Sequence, residues 1–600
     1  MKVVKTDLSY YLSMQTTQIV NRATPHLTLG LALLIILTLV FTLSGVVAYG
    51  PWKPDEPYMF GLIDSMLKTG DWVVPTLAGE PFMEKPPLFV WVAAMTSKLA
   101  SPWLNIEYGA RLAIGIFMLV TFIAIANSAR RWWGRGFGRY AVLALLASVG
   151  LQQHGRMMIA DLPLLAGFAV AFCGWAWMQE RPIKGGILLG TGIGMALMAK
   201  GLLGPGVLVL SALLLPLLFR LWRTWSYAQG LLVTIAASLP WILIWPIALY
   251  GRSPTLFMDW FWINNVGRFV GFSVPTLGAE HESGHLIQTI PWFTFPALPL
   301  ALWALWVFWR RGRVSDTNTA GNLQPAFQVS LVVLAVLCVV LGVSASGRVV
   351  YLLPMLIPLA IISAPAITML PDGFSRVSDW TARIIFGTAA AACWIVWFCF
   401  FVVQEPLRLP ILAKHLPMDF PFHVDPLGAA IALLLMMGWI FIINYLPRLA
   451  ARATISWVSG LILVWGTALA LLLPWIDAAK SYQSTFTSLA GSLGENKSCV
   501  ASVGLGESER AMLTYIADVE PQRRELDRGS ECDALLWQGI ASDSPRGLDA
   551  NEWQLKWEGA RPGERRERFW LFTRTHIHSS LVAKHNGLLP VLIHPVSKIR

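Results

Sequence analysis

Apolar stretches long enough to cross a bilayer as helices recur from about residue 27 to about residue 475. They make about thirteen spans, the first over 27–47. Basic residues close these runs at regular places. The second span ends in Arg130, Arg131, Arg135 and Arg139, and a hairpin of the third and fourth returns to Arg181 and Lys184. Later even-numbered spans end at Arg220 and Arg223, at Arg310, Arg311 and Arg313, near Arg376 and Arg383, and at Arg448 and Arg452. Lys2, Lys5 and Arg22 precede the first span. Every even span thus exits on the basic side, which predicts a cytoplasmic N-terminus. The loops at 50–105, 152–162, 251–288, 345–350 and 405–425 then lie outside. No small-residue cleavage site follows a short apolar core near the start, so no removable signal peptide is expected.

Residues 1–476 thus read as a transmembrane domain and 477–600 as a second domain on the outer side. The tail opens with a helix-like stretch. "KSCVASVGLG", "CDALLWQG" and "ERFWLFTRT" then read as strands, with "ESERAMLTYIADV" as a helix, which predicts a small α/β fold. Cys499 and Cys532 are the disulfide candidates if the tail faces an oxidising compartment. Such a bond stabilises the tail by about 3–4 kcal/mol on a chain-entropy argument. Cys173, Cys338, Cys393 and Cys399 fall inside apolar spans and read as inert thiols.

Composition agrees with a mainly α membrane protein. Hydrophobic residues are 55% and charged residues 14%, against roughly 25% charged in soluble domains. The net charge of +11 would suit a nucleic-acid binder, but the basic residues sit at span ends, so nucleic acid is not an expected partner. No P-loop or dinucleotide fingerprint stands out.

The polar chemistry concentrates in the first outer loop. Met59, Leu62, Ile63, Met66 and Leu67 keep the rhythm of an amphipathic helix, and a second apolar stretch follows Pro86 and Pro87 to about Leu99. Both suit helices lying in the membrane interface, the depth at which a lipid substrate is met. Asp55 and Glu56 open the first helix, and Glu84 and Lys85 open the second. Capping is the plain explanation of such carboxylates and is the one taken for Glu56. For Asp55, Glu84 and Lys85 a functional role is expected. A lysine there holds a phosphate, and a carboxylate takes a proton from an acceptor hydroxyl.

Asp55-Glu56-Pro57 followed by "TGDWVVPTLAGEPFMEKPPLFVW" at 69–91 resembles the opening signature of the bacterial lipid A aminoarabinose transferases. These share the C-type glycosyltransferase fold with the protein O-mannosyltransferases. The likeness extends to "RMMIADLPLL" with Asp161, "MAKGLLGP" with Lys200, "NNVGRF" with Arg268, and "GRVVYLLPMLIPLA" with Arg348 and Tyr351. It implies transfer of a sugar from a polyprenyl-phosphate donor to a lipid or protein acceptor, on the periplasmic face of the bacterial inner membrane. Mapped by motif, Asp55 is the base, Lys85, Arg268 and Arg348 hold the donor phosphate, and Glu84, Tyr58, Met59, Asn265 and Tyr351 line the substrate cavity. Asp161 matches a carboxylate at the outer mouth of a span, a catalytic position or a helix cap. Single displacement with inversion is the expected course.

The chain departs from the aminoarabinose enzymes at Asn264 and Asn265, where those carry a Glu-His pair that with a partner like Glu84 looks like a metal site. An asparagine amide is a poor zinc ligand. Downstream, His281, Glu282 and His285 formally match H-E-x-x-H. Gly278 and Gly284 interrupt the helix that motif needs, so a metalloprotease is disfavoured. A divalent metal stays an open cofactor, with Glu84, His281 and His285 as candidate ligands. The alternatives are transfer to a protein or cell-envelope polymer and, from a different class, a lipid-linked sugar transporter. Few charges lie within the spans and no inverted halves are evident, which disfavours transport.

Overall fold

The computed structural model describes residues 27–575 apart from 45–48, 278–284, 315–322, 346, 404–422, 447–450, 495–498, 527, 529–530, 541–544, 546–547, 550, 563 and 565. Among the described residues, nine helices are long and apolar enough to cross a membrane, and five further apolar helices are shorter. The protein is a multi-pass membrane protein. The expected thirteen spans are not recovered as such, because hydropathy alone does not separate a short span from an interfacial helix.

After α1 (Leu27–Leu43), the first long loop folds as α2 (Glu56–Thr69), a hairpin of β1 (Thr76–Leu77) and β2 (Glu80–Pro81), and α3 (Leu88–Ala100). Both loop helices lie where periodicity placed them, and Leu62, Ile63 and Met66 are buried. The membrane core follows in α4 (Ile106–Trp133), α5 (Phe137–Ala147), α6 (Val149–His154), α7 (Asp161–Met178), α8 (Pro182–Lys200), α9 (Leu203–Leu218) and α10 (Trp225–Arg252). Helices α7 and α8 approach closely through small residues, as membrane helices do. A Cβ on Gly192 would meet the Gly167 carbonyl at 2.5 Å and the Ala171 nitrogen at 2.6 Å. Later helices include α11 (Pro325–Val343), α12 (Leu356–Met369), α13 (Asp372–Trp397), α14 (Pro426–Tyr445) and α15 (Arg452–Lys480). Ile384, Leu434 and Phe441 are exposed on their outer faces, where lipid replaces water as the neighbour.

The tail folds as α16 (Gln483–Leu493), β3 (Val500–Val503), α17 (Glu507–Ala517), β4 (Gln522–Arg523), β5 (Ala534–Gly539), β6 (Trp553–Gly559) and β7 (Arg568–Arg574). The strand order is β4-β3-β5-β7-β6, with β3 parallel to β4 and β5 and the other pairs antiparallel. The three expected strands and the helix between them are all present. Cys499 and Cys532 form a disulfide, with Cα atoms 5.1 Å apart. The sheet domain rests on the first outer loop: Phe60 meets Tyr515 edge to face at 4.7 Å, and Arg510 pairs with Glu80 at 2.7 Å.

Candidate active site

Glu56 and Asp55 are neighbours with different fates. Glu56 is 1% exposed and accepts both Nη atoms of Arg111, at 3.0 and 2.8 Å. It also accepts the backbone N–H of Trp52 and of Met158. A buried ion pair needs this degree of satisfaction. The capping role expected of Glu56 is therefore corrected: it ties the start of α2 to α4 and to the loop before α7. Asp55 turns the other way. As the residue before α2 it makes no side-chain cap, and both its oxygens accept Arg348 Nη2 at 2.8 Å.

Other charged groups gather around Asp55. Glu84 Oε1 accepts Arg268 Nη1 at 2.5 Å. Lys85 donates to the Tyr58 hydroxyl and lies over that ring. Asp161, the first residue of α7, pairs with Lys200 at the end of α8, and Lys200 Nζ sits 3.8 Å from the Tyr351 ring centroid. Asp55, Glu84, Lys85, Arg268 and Arg348 are all only partly buried. Their ion pairs bring together side chains that lie far apart in the chain, from the loop after α1, from near residue 268 and from near residue 348. Asp161 is no simple cap, because its carboxylate is engaged by a lysine two helices' length away in sequence.

The electrostatics follow from this crowding. Burial pushes the Glu84 carboxyl up, but Lys85 and Arg268 outweigh it and hold the group down at about 2. Burial opposes the charge of Lys85, yet Tyr58, Glu84 and Asp55 carry its pKa above the ordinary lysine value. Burial also opposes the charges of Arg268 and Arg348, and their carboxylates raise both. Lys85, Arg268 and Arg348 are thus held firmly charged, as suits a site for a phosphate.

Two expected cavity residues are placed differently. Met59 is 1% exposed and belongs to the hydrophobic core, because it lies on the inward face of α2, while Tyr58 turns its hydroxyl to Lys85. Asn265 lies in a π-helical stretch, Asp259–Gly267, and braces the backbone. Its Oδ1 accepts the Leu202 N–H at 2.9 Å, and its Nδ2 donates to the Trp260 carbonyl at 2.7 Å. Gly201, at φ +76°, packs against this amide where a Cβ would collide with it. Asn265 thus fixes the turn that follows Lys200.

The metal reading finds little support among these groups. Glu84 is engaged by Arg268, and Asn265 has both ends of its amide bonded to backbone. Among the described residues no three His, Cys, Asp or Glu side chains converge. The donor set does not fit a zinc ion. His281 lies outside the described residues, as does the side chain of His285. Sequence reasoning also left out Lys200 and His154 as site residues. His154 is half-buried, and burial pushes its pKa down while Asp161 and Asp55 pull it up. Its only signal was a place in the outer loop at 152–162.

Residues 84–245 match the family model described as dolichyl-phosphate-mannose-protein mannosyltransferase. The undecaprenyl phosphate-alpha-4-amino-4-deoxy-L-arabinose arabinosyl transferase 2 of Pseudomonas fluorescens strain Pf-5 is 25% identical over 469 residues, which is 74% of this chain and 71% of the relative. The corresponding transferase of Edwardsiella ictaluri is 29% identical over 352 residues, 56% of this chain and 58% of the relative. The crystal structure of ArnT from Cupriavidus metallidurans bound to undecaprenyl phosphate superposes with a TM-score of 0.62. It is 16% identical and covers 92% of this chain and 98% of its own. The chain has an ArnT-like fold and is similar in sequence to these transferases. Its ArnT-like fold includes the outer sheet domain, since the superposition runs over nearly the whole of both chains. The family model begins at Glu84, so it takes in Lys85, Asp161 and Lys200 but not Asp55.

Proposed function

We propose that this glycosyltransferase moves a sugar from an undecaprenyl-phosphate donor to a hydroxyl or phosphate of a lipid A-like acceptor. Transfer takes place on the periplasmic face of the bacterial inner membrane, with the N-terminus cytoplasmic and the sheet domain outside. The observation that carries the reading is Lys85: a firmly charged lysine, with a phenol as its one hydrogen-bonding partner among the described residues, close to two arginine–carboxylate pairs. The Cys499–Cys532 disulfide supports the outer placement of the sheet domain, and the relatives' names supply the donor class.

In this mechanism the donor phosphate docks on Lys85. Its charge draws Arg268 from Glu84 and Arg348 from Asp55, which frees the Asp55 carboxylate. An acceptor oxygen attacks the anomeric carbon and gives its proton to Asp55. The bond from that carbon to the phosphate oxygen breaks, and its electron pair leaves with undecaprenyl phosphate. Lys85 and Arg268 stabilise the charge that develops there. Lys200 holds Asp161 beside the same site and positions it toward the sugar.

The test uses purified protein in detergent with aminoarabinosyl undecaprenyl phosphate and lipid A, read by mass spectrometry. Lipid A should gain the sugar mass without any bilayer, and Asp55→Asn should abolish the gain. No transfer by well-folded wild-type protein would sink the reading, and movement of donor across vesicles without transfer would favour a transporter.

A further inference from the structure

Among the described residues, eight charged side chains are placed at the site, four of each sign. Three pairs close on themselves: Asp55 with Arg348, Glu84 with Arg268, and Asp161 with Lys200. The fourth cation, Lys85, bonds only a phenol. The fourth carboxylate is Glu507, from the outer sheet domain. It stands at the start of α17, and the next residue, Ser508, donates its hydroxyl to the Pro54 carbonyl at 2.8 Å, beside Asp55. Among the described residues Glu507 makes no hydrogen bond or ion pair, and its side chain remains solvent-accessible. The charges of Glu84, Lys85, Arg510 and Arg268 all act on it.

A carboxylate in the first turn of a helix has a plain explanation in the helix dipole. That explanation covers Glu507 and Glu509 alike, yet the two differ. Glu509 turns inward and takes Lys53 at 2.7 Å. Glu507 stays exposed at the start of α17, feels the like charge of Glu84, and among the described residues has no cation within bonding distance. Such an arrangement is unfavourable in the empty site and is relieved by a ligand that donates to the carboxylate.

We propose that Glu507 is a sugar-binding residue of the transferase site, its carboxylate accepting hydrogen bonds from N–H or O–H groups of the sugar in transit while Lys85 holds the attached phosphate. The inference rests on the donor reading above. It assigns the outer domain a part in substrate recognition, since one unpaired cation and one unpaired anion match a ligand that carries a phosphate and, beside it, a hydrogen-bond donor. The protein packed around Glu507, though it leaves the carboxylate accessible, and then Glu84 push the carboxyl up, against Lys85, Arg510 and Arg268, to about 7. It therefore changes charge within the neutral range.

The experiment measures the affinity of the full-length protein in detergent for three probes: undecaprenyl phosphate, its aminoarabinosyl form and its arabinosyl form. Wild type should prefer the glycosylated probes to the bare carrier. At pH 8, Glu507→Gln should lose about ten-fold or more of that preference, a loss in keeping with one charge-assisted hydrogen bond. Its affinity for bare undecaprenyl phosphate should stay within about two-fold. At pH 5.5, where the wild-type carboxyl is protonated, the two proteins should converge. Glu507→Asp keeps the charge at the helix end but shortens its reach, and should behave as Glu507→Gln does. Loss confined to the aminoarabinosyl probe identifies an amine as the contact, and loss with both sugars identifies a hydroxyl. An unchanged preference in Glu507→Gln, equal weakening of all three probes, or no preference in wild type overturns the inference alone. Wild-type protein that binds none of the probes overturns the donor reading and this inference with it.

Discussion

Lys53 and Lys85 belong to the same outer loop, and each meets its surroundings differently. Lys53 Nζ contacts Glu509 and Glu567 at 2.7 Å each. Those carboxylates are bonded in turn by the Tyr482 hydroxyl, and Glu567 also by Gln538 and Arg561. The result is a closed latch between the first loop and the sheet domain. Lys85 has one phenol and no carboxylate within bonding distance. The two lysines share a side chain, a loop and a side of the membrane. What separates them is the satisfaction of their charge: the latch is complete without a ligand, and the cavity is not. The charges of the latch are satisfied by several partners each, whereas a lysine left with a single phenol suits a place where a substrate goes.

The sharpest way to break that comparison is to remove each lysine in turn. Lys85→Ala should lower transfer by about 10³-fold, the scale of losing a preorganised donor to a departing oxyanion. Its melting temperature should stay near that of wild type, because no buried carboxylate is orphaned. The measurement pairs the detergent transfer assay with thermal unfolding. A large drop in melting temperature would mean that Lys85 is structural and that the comparison fails.

Lys53→Ala should do the reverse. It leaves Glu509 buried without its cation, while Glu567 keeps Arg561, at a cost of about 2–3 kcal/mol, toward the low end for a broken buried pair because Lys53 is 31% exposed. Thermal unfolding should show the loss. Transfer, measured well below the transition, should fall only modestly, as the Ser508 contact with Pro54 still seats α17 beside Asp55. Lys53→Ala protein that unfolds like wild type but transfers nothing would place Lys53 in the chemistry rather than the latch.

Much of this division was legible in the sequence, for stated reasons. The first-loop helices announced themselves by periodicity, and Asp55, Glu84 and Lys85 by their place at two helix openings. The tail's strands were legible because β3, β5 and β7 are short apolar runs. β6 was missed because, in "WQLKWEG", most side chains other than Trp553 are polar or partly exposed. The role of Glu56 was illegible for another reason. Its partners Arg111 and the Met158 N–H lie 55 and 102 residues away, so only the fold shows that this carboxylate is saturated. Met59 and Tyr58 were indistinguishable by pattern, since adjacent helical residues differ by about 100° in direction, and the choice between core and cavity is made by packing. Glu507 carried no signal in the sequence, because nothing in the tail reveals that α17 docks against Pro54.

The smallest expected effect concerns how the latch responds to acid. Burial pushes the Glu509 carboxyl up, but Lys53 and the hydrogen bonds it accepts hold it down at about 2, below its ordinary value near 4.5. A carboxyl depressed in the folded state contributes stability that is fully present above its unfolded pKa and is lost as pH falls toward its folded one. The latch is therefore intact from neutral pH down to about 4.5 and weakens between there and about 2. Melting temperatures followed from pH 7 to pH 3 should fall for wild type below about pH 4.5. They should fall less in Lys53→Ala, which has already lost most of what acid removes. Parallel curves for the two proteins would show that Lys53 does not hold Glu509 charged, and the distinction between a saturated and an unsaturated lysine would lose its structural half.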